Sequence, residues 1–310
     1  MAETDVRCVA DTGNMLGEGP VYLPEENALY WVDILGNMIF RLGCDDESVR
    51  QYRFPCMPGA LIPATYDGAF ALFLVAAEDG IYAWKNGSYK HLFSVEKDQT
   101  ENRSNDGCAD PYGNLWFGTM DRNIKNAAGR YYCCRPDGRL RILDRHFEVT
   151  NGPAFDSSGT YIYLVDTTRR TVLRGELSED GTVTGLADWL HTPEDSGFPD
   201  GPVMDSDDHM WIAFWQGRCI KRFTPDAVHE LTVVLPASQV TKCAFGGKDF
   251  STIYSTTARV GLSENELAER PCSGGLFACT VPGIRGRAPF SFHLTPMFIR
   301  NYSLDGFLRE

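Results

Sequence analysis

The sequence lacks long apolar runs, an excess of basic residues and helical periodicity. Its longest apolar stretch, near positions 69–77 of the 310 residues, is far too short to cross a bilayer as a helix. Met1 to Asp5 contain no basic segment followed by an apolar one, so we expect no secretory signal and a cytoplasmic location. Acidic side chains outnumber basic ones by 42 to 29. Because such a surface repels phosphates, we expect neither a nucleic-acid nor a membrane partner.

Familiar catalytic and cofactor motifs are also missing. The chain has no GxSxG nucleophile elbow, no Walker A loop and no dinucleotide-binding glycine fingerprint. Its ten cysteines form no CxxC pair, and its six histidines have no metal-ligand spacing. We therefore interpret the cysteines as buried, reduced thiols that pack as small apolar residues, rather than as a disulfide framework.

What the sequence does contain is a repeat. Six short runs rich in aromatic and β-branched residues, each bounded by Gly, Asp or Asn, have the composition of strands. The runs are 29–33, 70–74, 115–118, 162–166, 210–214 and 253–256. Their first residues are 41, 45, 47, 48 and 43 positions apart, and a second strand-like run usually follows each. A period of about 40–50 residues with about four strands is that of a propeller blade.

The repeat predicts an all-β protein, a six-bladed β-propeller that forms one domain over residues 1–310. A strand at Val6–Asp11 would complete the last blade and close the ring. Only Ser263–Arg270 has a helical pattern, and the tail after His293 has no assignment. Packing the blades around one axis would bury the faces that each small sheet leaves exposed.

A polar residue recurs at one phase of this repeat. Glu18, Asp106, Asn151 and Asp200 precede the following strand-like run by 11, 9, 11 and 10 positions, and each is followed by Gly. This nearly equal phase places them at one level of the central channel, where carboxylates would repel one another. A divalent cation resolves this repulsion, because carboxylate and amide oxygens suit Ca²⁺, Mg²⁺ or Mn²⁺.

Each of these pairs could also be ordinary turn chemistry, since Asp-Gly and Asn-Gly are common in turns. The shared phase in four units favours a site. The other two units have Pro58-Gly59 and Thr241-Lys242 near this phase. The expected polar ring is therefore incomplete, as a site with one open side would be.

Four segments carry a resemblance to a known family. They are Leu16-Gly17-Glu18-Gly19-Pro20, the stretch from Asn102 to Gly107 that continues to Leu115–Met120, Thr150-Asn151-Gly152-Pro153 and Phe198-Pro199-Asp200-Gly201. In this order they resemble the SMP-30/gluconolactonase/luciferin-regenerating-enzyme family, also called regucalcin-like, and most of all its bacterial sugar lactonases. The match spans residue 16 to about residue 280.

The resemblance implies one divalent metal in the channel of a six-bladed propeller, with Glu18, Asn151 and Asp200 as its protein ligands. It does not distinguish Ca, Zn, Mn, Mg and Fe(II). Arg103 and Asn105 fall where the family contacts a sugar lactone. Asp200 also falls where the family has its general base.

Three neighbouring positions receive weaker assignments. Asp106 would act through water or by orienting the site. Asp121 lies where some relatives carry an acidic substrate contact, and Arg122 would favour an anionic substituent on the sugar.

The predicted reaction is hydrolysis of an aldonolactone, with a small sugar lactone as the partner. The metal would act as a Lewis acid, and Asp200 or metal-bound hydroxide would activate water. Two alternatives stay open: an organophosphatase-like or aryl-esterase-like propeller, which a more apolar pocket would favour, and a calcium-binding protein without turnover.

Overall fold

The computed structural model describes residues 5–308 and arranges six antiparallel sheets as the blades of a β-propeller. The inner strand of each blade contacts the inner strands of both neighbouring blades, which closes the ring. The all-β, six-bladed prediction is therefore confirmed. A single domain over residues 1–310 stays a prediction, because residues 1–4 and 309–310 lie outside the described range.

The elements have the following bounds. The strands are β1 (Arg7–Ala10), β2 (Gly17–Leu23), β3 (Ala28–Asp33), β4 (Met38–Gly43), β5 (Val49–Arg53), β6 (Pro58–Tyr66), β7 (Ala69–Ala77), β8 (Gly80–Lys85), β9 (Ser88–Phe93), β10 (Asn102–Ala109), β11 (Leu115–Asp121), β12 (Tyr131–Cys134), β13 (Leu140–Ile142), β14 (Thr150–Phe155), β15 (Tyr161–Asp166), β16 (Thr171–Leu177), β17 (Val183–His191), β18 (Phe198–Met204), β19 (Met210–Trp215), β20 (Cys219–Phe223), β21 (His229–Val234), β22 (Gln239–Gly246), β23 (Thr252–Ala258), β24 (Leu276–Thr280) and β25 (Phe292–His293). The α-helices are α1 (Glu264–Glu269), α2 (Pro296–Asn301) and α3 (Asp305–Leu308).

Each blade is a meander of four strands, counted outward from the channel. Blades 1 to 5 start at β2, β6, β10, β14 and β18. Blade 6 runs β22, β23, β24 and then β1, which pairs with β24 with Arg7 opposite Ala278. The prediction that a strand within Val6–Asp11 completes the last blade is confirmed.

The six strand-like runs of the sequence are the second strands of the blades. These strands are largely buried, because one face packs on each neighbouring blade. Two of them are fixed by a side-chain bond to the preceding turn: Trp116 Nε1 donates to Asp110 Oδ2 at 2.9 Å, and Trp211 Nε1 donates to Asp205 Oδ2 at 3.0 Å. In these two blades the tryptophan of the second strand thus also orders the turn between the first and second strands.

Every inner strand has a register irregularity at the phase of the polar residues. The shifts lie between Glu18 and Val21, Pro58 and Ala60, Ser104 and Gly107, Asn151 and Ala154, Pro199 and Pro202, and Val240 and Lys242. An extra residue of this kind bends a strand and turns a side chain away from the sheet faces. The Gly-Pro steps in three of these strands, β2, β14 and β18, interrupt the ladder at that point, because Pro has no N–H to donate.

The tail differs from the sequence prediction, which assigned it no structure. β25 pairs in parallel with β6, and α2 and α3 follow it. Thr295 caps α2, and Phe298, Ile299 and Leu304 pack into the core between blades 2 and 3. These helices have only six and four residues, so each is too short for the 3.6-residue periodicity of apolar positions to be recognised in the sequence.

The predicted helical segment at Ser263–Arg270 is confirmed as α1, which Ser263 and Glu266 start with a capping box. No helix between residues 5 and 308 is both long enough and apolar enough to span a membrane. All ten cysteines are free thiols, five buried and five half-buried.

Candidate active site

A cavity of about 630 Å³ opens at one end of the channel and collects most of the predicted site residues. Glu18 in β2, Arg103 and Asn105 in β10, Asn151 in β14 and Asp200 in β18 all line it. Each is at least 90% buried, and each lies beside the register irregularity of its inner strand. Residues up to 182 positions apart in sequence therefore share one small volume.

The two carboxylates of this set lie close enough to interact. Burial is the main cause that raises the pKa of Glu18 to about 8; Asp106 adds to the rise, and Lys242, the Gly19 N–H and Arg103 oppose it. Burial also raises the pKa of Asp200 well above its ordinary value, and the charges of Glu18 and Asp106 add to that effect. The cations Lys242 and Arg103 therefore compensate these two buried carboxylates only in part.

A chain of hydrogen bonds orients the amide and guanidinium groups. Asn151 Nδ2 donates to Thr167 Oγ1 at 2.8 Å, which turns Asn151 Oδ1 towards Asn105. Asn105 Nδ2 donates to that oxygen at 3.2 Å and to Thr150 O at 2.7 Å. Arg103 Nη1 in turn donates to Asn105 Oδ1 at 2.7 Å. The substrate contacts expected at Arg103 and Asn105 therefore belong to one network with the expected ligand Asn151.

Arg103 is the cation of this cavity wall. Burial lowers its pKa to about 10, against the attraction of Glu18 and Asp200 and with repulsion from Arg122. It thus stays charged at neutral pH. A buried guanidinium beside the carboxylates can donate to an oxygen that gains negative charge.

Asp106 does not line the cavity but lies at the same level of the ring, and its charge is matched by Lys242. Lys242 Nζ lies 2.6 Å from both carboxylate oxygens of Asp106. Burial opposes the charge of Lys242, but the Asp106 carboxylate outweighs it and raises the pKa of the ammonium. The sequence noted Thr241-Lys242 only as a gap in the ring; Lys242 instead occupies that position as a cation.

The Asp121 carboxylate is bound within its own loop. It accepts from the backbone N–H groups of Asn123, Lys125 and Asn126 at 2.9–3.2 Å and from Asn126 Nδ2 at 3.1 Å. These bonds hold the pKa of Asp121 below its ordinary value. Asp121 is not among the residues that line the cavity. Its substrate contact stays a prediction that this placement does not favour.

Arg122 does line the cavity, at its rim. Its Nη2 lies 2.9 Å from Glu78 Oε1 and donates to Thr100 O at 3.0 Å. Nε donates to Glu101 O at 3.3 Å. Nη1 has no hydrogen bond to any of the described residues, so one edge of the guanidinium remains for a ligand.

Above the polar floor, the cavity wall is largely apolar. Leu35 and Ile124 are 43% and 54% exposed at its mouth, and Phe198 and Trp215 are half-buried in its side. The Arg170 guanidinium lies 4.0 Å from the centre of the Phe198 ring, which fixes that part of the wall. Trp215 thus belongs to the wall of the cavity.

The donor set fits a divalent cation. Glu18 Oε2 accepts from the Gly19 N–H at 3.0 Å, and Glu18 Oε1 has no hydrogen-bond partner among the described residues. With Asp200 it offers two negative charges, and Asn151 Oδ1 offers a neutral oxygen, all hard ligands. Residues 5–308 contain no group of three or more His, Cys, Asp or Glu placed to hold a metal. The candidate site has only two such residues plus an amide, so water and substrate would complete the shell.

Comparisons with known proteins agree on one family. The model of the SMP-30/Gluconolactonase/LRE-like region matches residues 16–259. A putative sugar lactone lactonase, YvrE, of Bacillus subtilis is 31% identical over 88% of this chain and 93% of its own. A 6-deoxy-6-sulfogluconolactonase of Pseudomonas putida is 33% identical over 91% and 97%. A solved structure of a calcium-binding protein, regucalcin, from Agrobacterium tumefaciens superimposes with a TM-score of 0.87 at 28% identity, covering 94% of this chain and 99% of that one.

Proposed function

Because the chain belongs to the SMP-30/gluconolactonase/LRE-like family, we propose that it is a lactone hydrolase that opens a sugar lactone to the aldonic acid. The single observation that carries the proposal is the meeting of Glu18, Arg103, Asn105, Asn151 and Asp200 in one cavity. Ester hydrolysis needs groups that bind the substrate, polarise its carbonyl and deprotonate the attacking water. The carboxylates, the amides and the buried guanidinium of this cavity can serve these roles.

We infer that Glu18, Asn151 and Asp200 hold one divalent cation. When bound there, the cation would supply Lewis-acid polarisation of the lactone carbonyl. Asn151 is oriented for this by Thr167 through its Nδ2 group.

The remaining steps belong to the protein's own groups. Asp200 accepts a proton from the attacking water as the water oxygen bonds to the lactone carbonyl carbon. Arg103 donates to the oxygen that becomes negative, and Asn105 fixes the guanidinium through the 2.7 Å bond. When the ring C–O bond breaks, Asp200 returns the proton to the leaving alkoxide. The product carries one free hydroxyl and one carboxylic acid.

The cavity also supports an anionic sugar within this class. The free edge of Arg122 at the rim suits a negative substituent. One relative is a 6-deoxy-6-sulfogluconolactonase, whose named substrate carries a sulfo group. Acidic sugar lactones therefore belong in any substrate screen.

A second candidate, an aryl esterase, is favoured by the apolar wall around Leu35, Ile124 and Trp215. A calcium-binding protein without turnover is disfavoured by Arg103, because a buried cation beside the carboxylates weakens the hold on a metal. The cytoplasmic location expected from the sequence stays a prediction.

The test is a pH-stat screen of γ- and δ-lactones of pentoses, hexoses and their acidic derivatives, with 4-nitrophenyl acetate as the aryl ester. Each assay is run after chelation and after addition of Ca²⁺, Mn²⁺, Zn²⁺, Mg²⁺ or Fe²⁺. We expect sugar-lactone turnover that chelation abolishes and one of these ions restores.

The matched variants are Asp200→Ala and, as control, Asp226→Ala at an exposed turn. Asp200→Ala should abolish hydrolysis while its circular dichroism stays that of the parent. Full activity in Asp200→Ala would contradict the role of Asp200 as the base. An unchanged rate after verified metal removal would contradict the Lewis-acid role of the cation. Faster turnover of the aryl ester than of every lactone would favour the second candidate.

A further inference from the structure

The buried ion pair between Lys242 and Asp106 joins three blades beside the candidate site. Lys242 lies in β22 of blade 6 and Asp106 in β10 of blade 3, and their side chains are 9% and 1% exposed. One Asp106 oxygen also accepts from the Gly107 N–H at 2.7 Å. The other accepts from the Gly152 N–H at 2.7 Å in blade 4. Both carboxylate oxygens of Asp106 therefore already have hydrogen-bond partners within the protein.

This pair contacts the backbone next to two of the expected metal ligands. Gly152, which donates to Asp106, directly follows Asn151. Gly201 directly follows Asp200, and a Cβ placed on it would lie 2.5–2.7 Å from Lys242 Cβ, Cγ and Cδ. The aliphatic part of Lys242 therefore passes directly over Gly201, and a larger residue there would displace it.

Lys242 compensates one of the three carboxylate charges in this part of the channel. Glu18, Asp106 and Asp200 supply three negative charges, and Asp106 and Lys242 cancel through their 2.6 Å contact. Glu18 and Asp200 then remain, with the Arg103 guanidinium beside them. Without Lys242, the uncompensated charge of Asp106 would add to the negative field at the ion, and a trivalent cation would gain more from that added charge than a divalent one.

We propose that Lys242 is a positioning residue that neutralises Asp106 and thereby makes the Glu18–Asn151–Asp200 site selective for a divalent over a trivalent cation. The inference rests on the proposed metal site but concerns cation binding alone, so it can be tested without turnover. A purely structural role for the pair would change the affinity for all cations in parallel. A role in charge selection changes their ratio.

The test measures the binding of Ca²⁺ and Tb³⁺ to the chelated full chain by calorimetry, with Tb³⁺ luminescence as a second readout. The variants are Lys242→Met, Asp106→Asn and the double variant. Lys248→Met is the control, because Lys248 is a neighbouring lysine whose side chain is 83% exposed. Thermal unfolding of each variant checks that it is folded.

Lys242→Met should raise the preference for Tb³⁺ over Ca²⁺ by at least about tenfold, because it leaves the Asp106 charge uncompensated beside the site. Asp106→Asn should shift the preference in the opposite direction, since it leaves the Lys242 charge. The double variant should return the Tb³⁺/Ca²⁺ preference to the parent value. Lys248→Met should leave that preference unchanged. If Lys242→Met fails to fold, the opposite shift in Asp106→Asn and the reversal in the double variant still decide the matter.

A parallel change in both affinities, with the ratio constant across the variants, would overturn the inference and leave the proposed lactonase intact. If the chelated parent binds neither ion, the metal site of the proposed function has failed, and this inference fails with it. The two failures are therefore distinguishable in the same experiment.

Discussion

Replacing Glu18 by Gln should stabilise the metal-free protein while it weakens cation binding. Glu18 is a buried carboxylate whose charge is opposed by burial and by Asp106, so without a cation its ionised form costs stability. Gln keeps the size of the side chain and an oxygen that can accept from the Gly19 N–H, the bond that Glu18 makes at 3.0 Å. The substitution therefore removes the charge and little else.

The magnitude follows from the change in pKa between the unfolded and folded chain. A rise from 4.5 to about 8 corresponds to about 5 kcal/mol in favour of the protonated form. Because the folded state binds the proton more tightly, the contribution of this group to stability is largest at low pH. This contribution is lost as the pH rises from about 4.5, and the loss is complete above about 8. At pH 7 the stability already lost amounts to about 3 kcal/mol.

The assay is thermal unfolding of chelated parent and Glu18→Gln protein at about pH 5, 7 and 9. At roughly 2 °C per kcal/mol for a chain of this size, Glu18→Gln should unfold roughly 6 °C higher at pH 7. The difference should be smaller at pH 5 and larger at pH 9. Added divalent cation should raise the Tm of the parent and have little effect on the variant. Glu25→Gln, an exposed control in the turn after β2, should match the parent throughout.

A metal-free Glu18→Gln protein that unfolds below the parent at pH 9, or a difference that does not change with pH, would refute this reasoning. The first result would mean that the Glu18 charge is stabilised by groups other than a cation. The second would mean that Glu18 titrates alike in the folded and unfolded chain.

Two further predictions concern the walls of the cavity. Arg103→Met should lower kcat by about 10²–10³-fold because it removes the donor to the developing oxyanion, while cation affinity measured by calorimetry is kept or raised; unchanged kcat would contradict the assignment. Asp121→Asn should lower the Tm, because it weakens the hydrogen bonds that Asp121 accepts from the N–H groups of Asn123, Lys125 and Asn126. It should leave KM for the lactone nearly unchanged. A large rise in KM at constant Tm would instead support the substrate contact predicted from the sequence.

Sequence reasoning found the fold because each blade repeats the same requirement. The second strand of a blade is buried on both faces, so it must be apolar and aromatic, and that demand recurs every 41 to 48 residues. The outer strands β5, β9 and β13 left no such signal, because they face solvent and carry mixed residues. Their existence could be inferred only from the length of the repeat.

The phase of the polar residues was also visible, since a bulge at one level of every inner strand fixes where a side chain enters the channel. The partner of Lys242 was not visible, because Asp106 lies 136 positions away and no local pattern links them. Asp121 was assigned from the family resemblance, because some relatives carry an acidic substrate contact at this place. Its side chain folds back on the next five residues, a choice that depends on loop geometry and not on residue type.

The seam between blades 6 and 1 has a consequence for the stability of the closed ring. Thr241 Oγ1 donates to Gly17 O at 2.6 Å across 224 positions, right beside Glu18 and Lys242. Closing a contact so distant along the chain carries a large loop-closure cost, and the seam exists only when blade 6 is docked on blade 1. A cation at the proposed site would bind the closed ring and not the unfolded chain. It would therefore stabilise the closed ring by mass action.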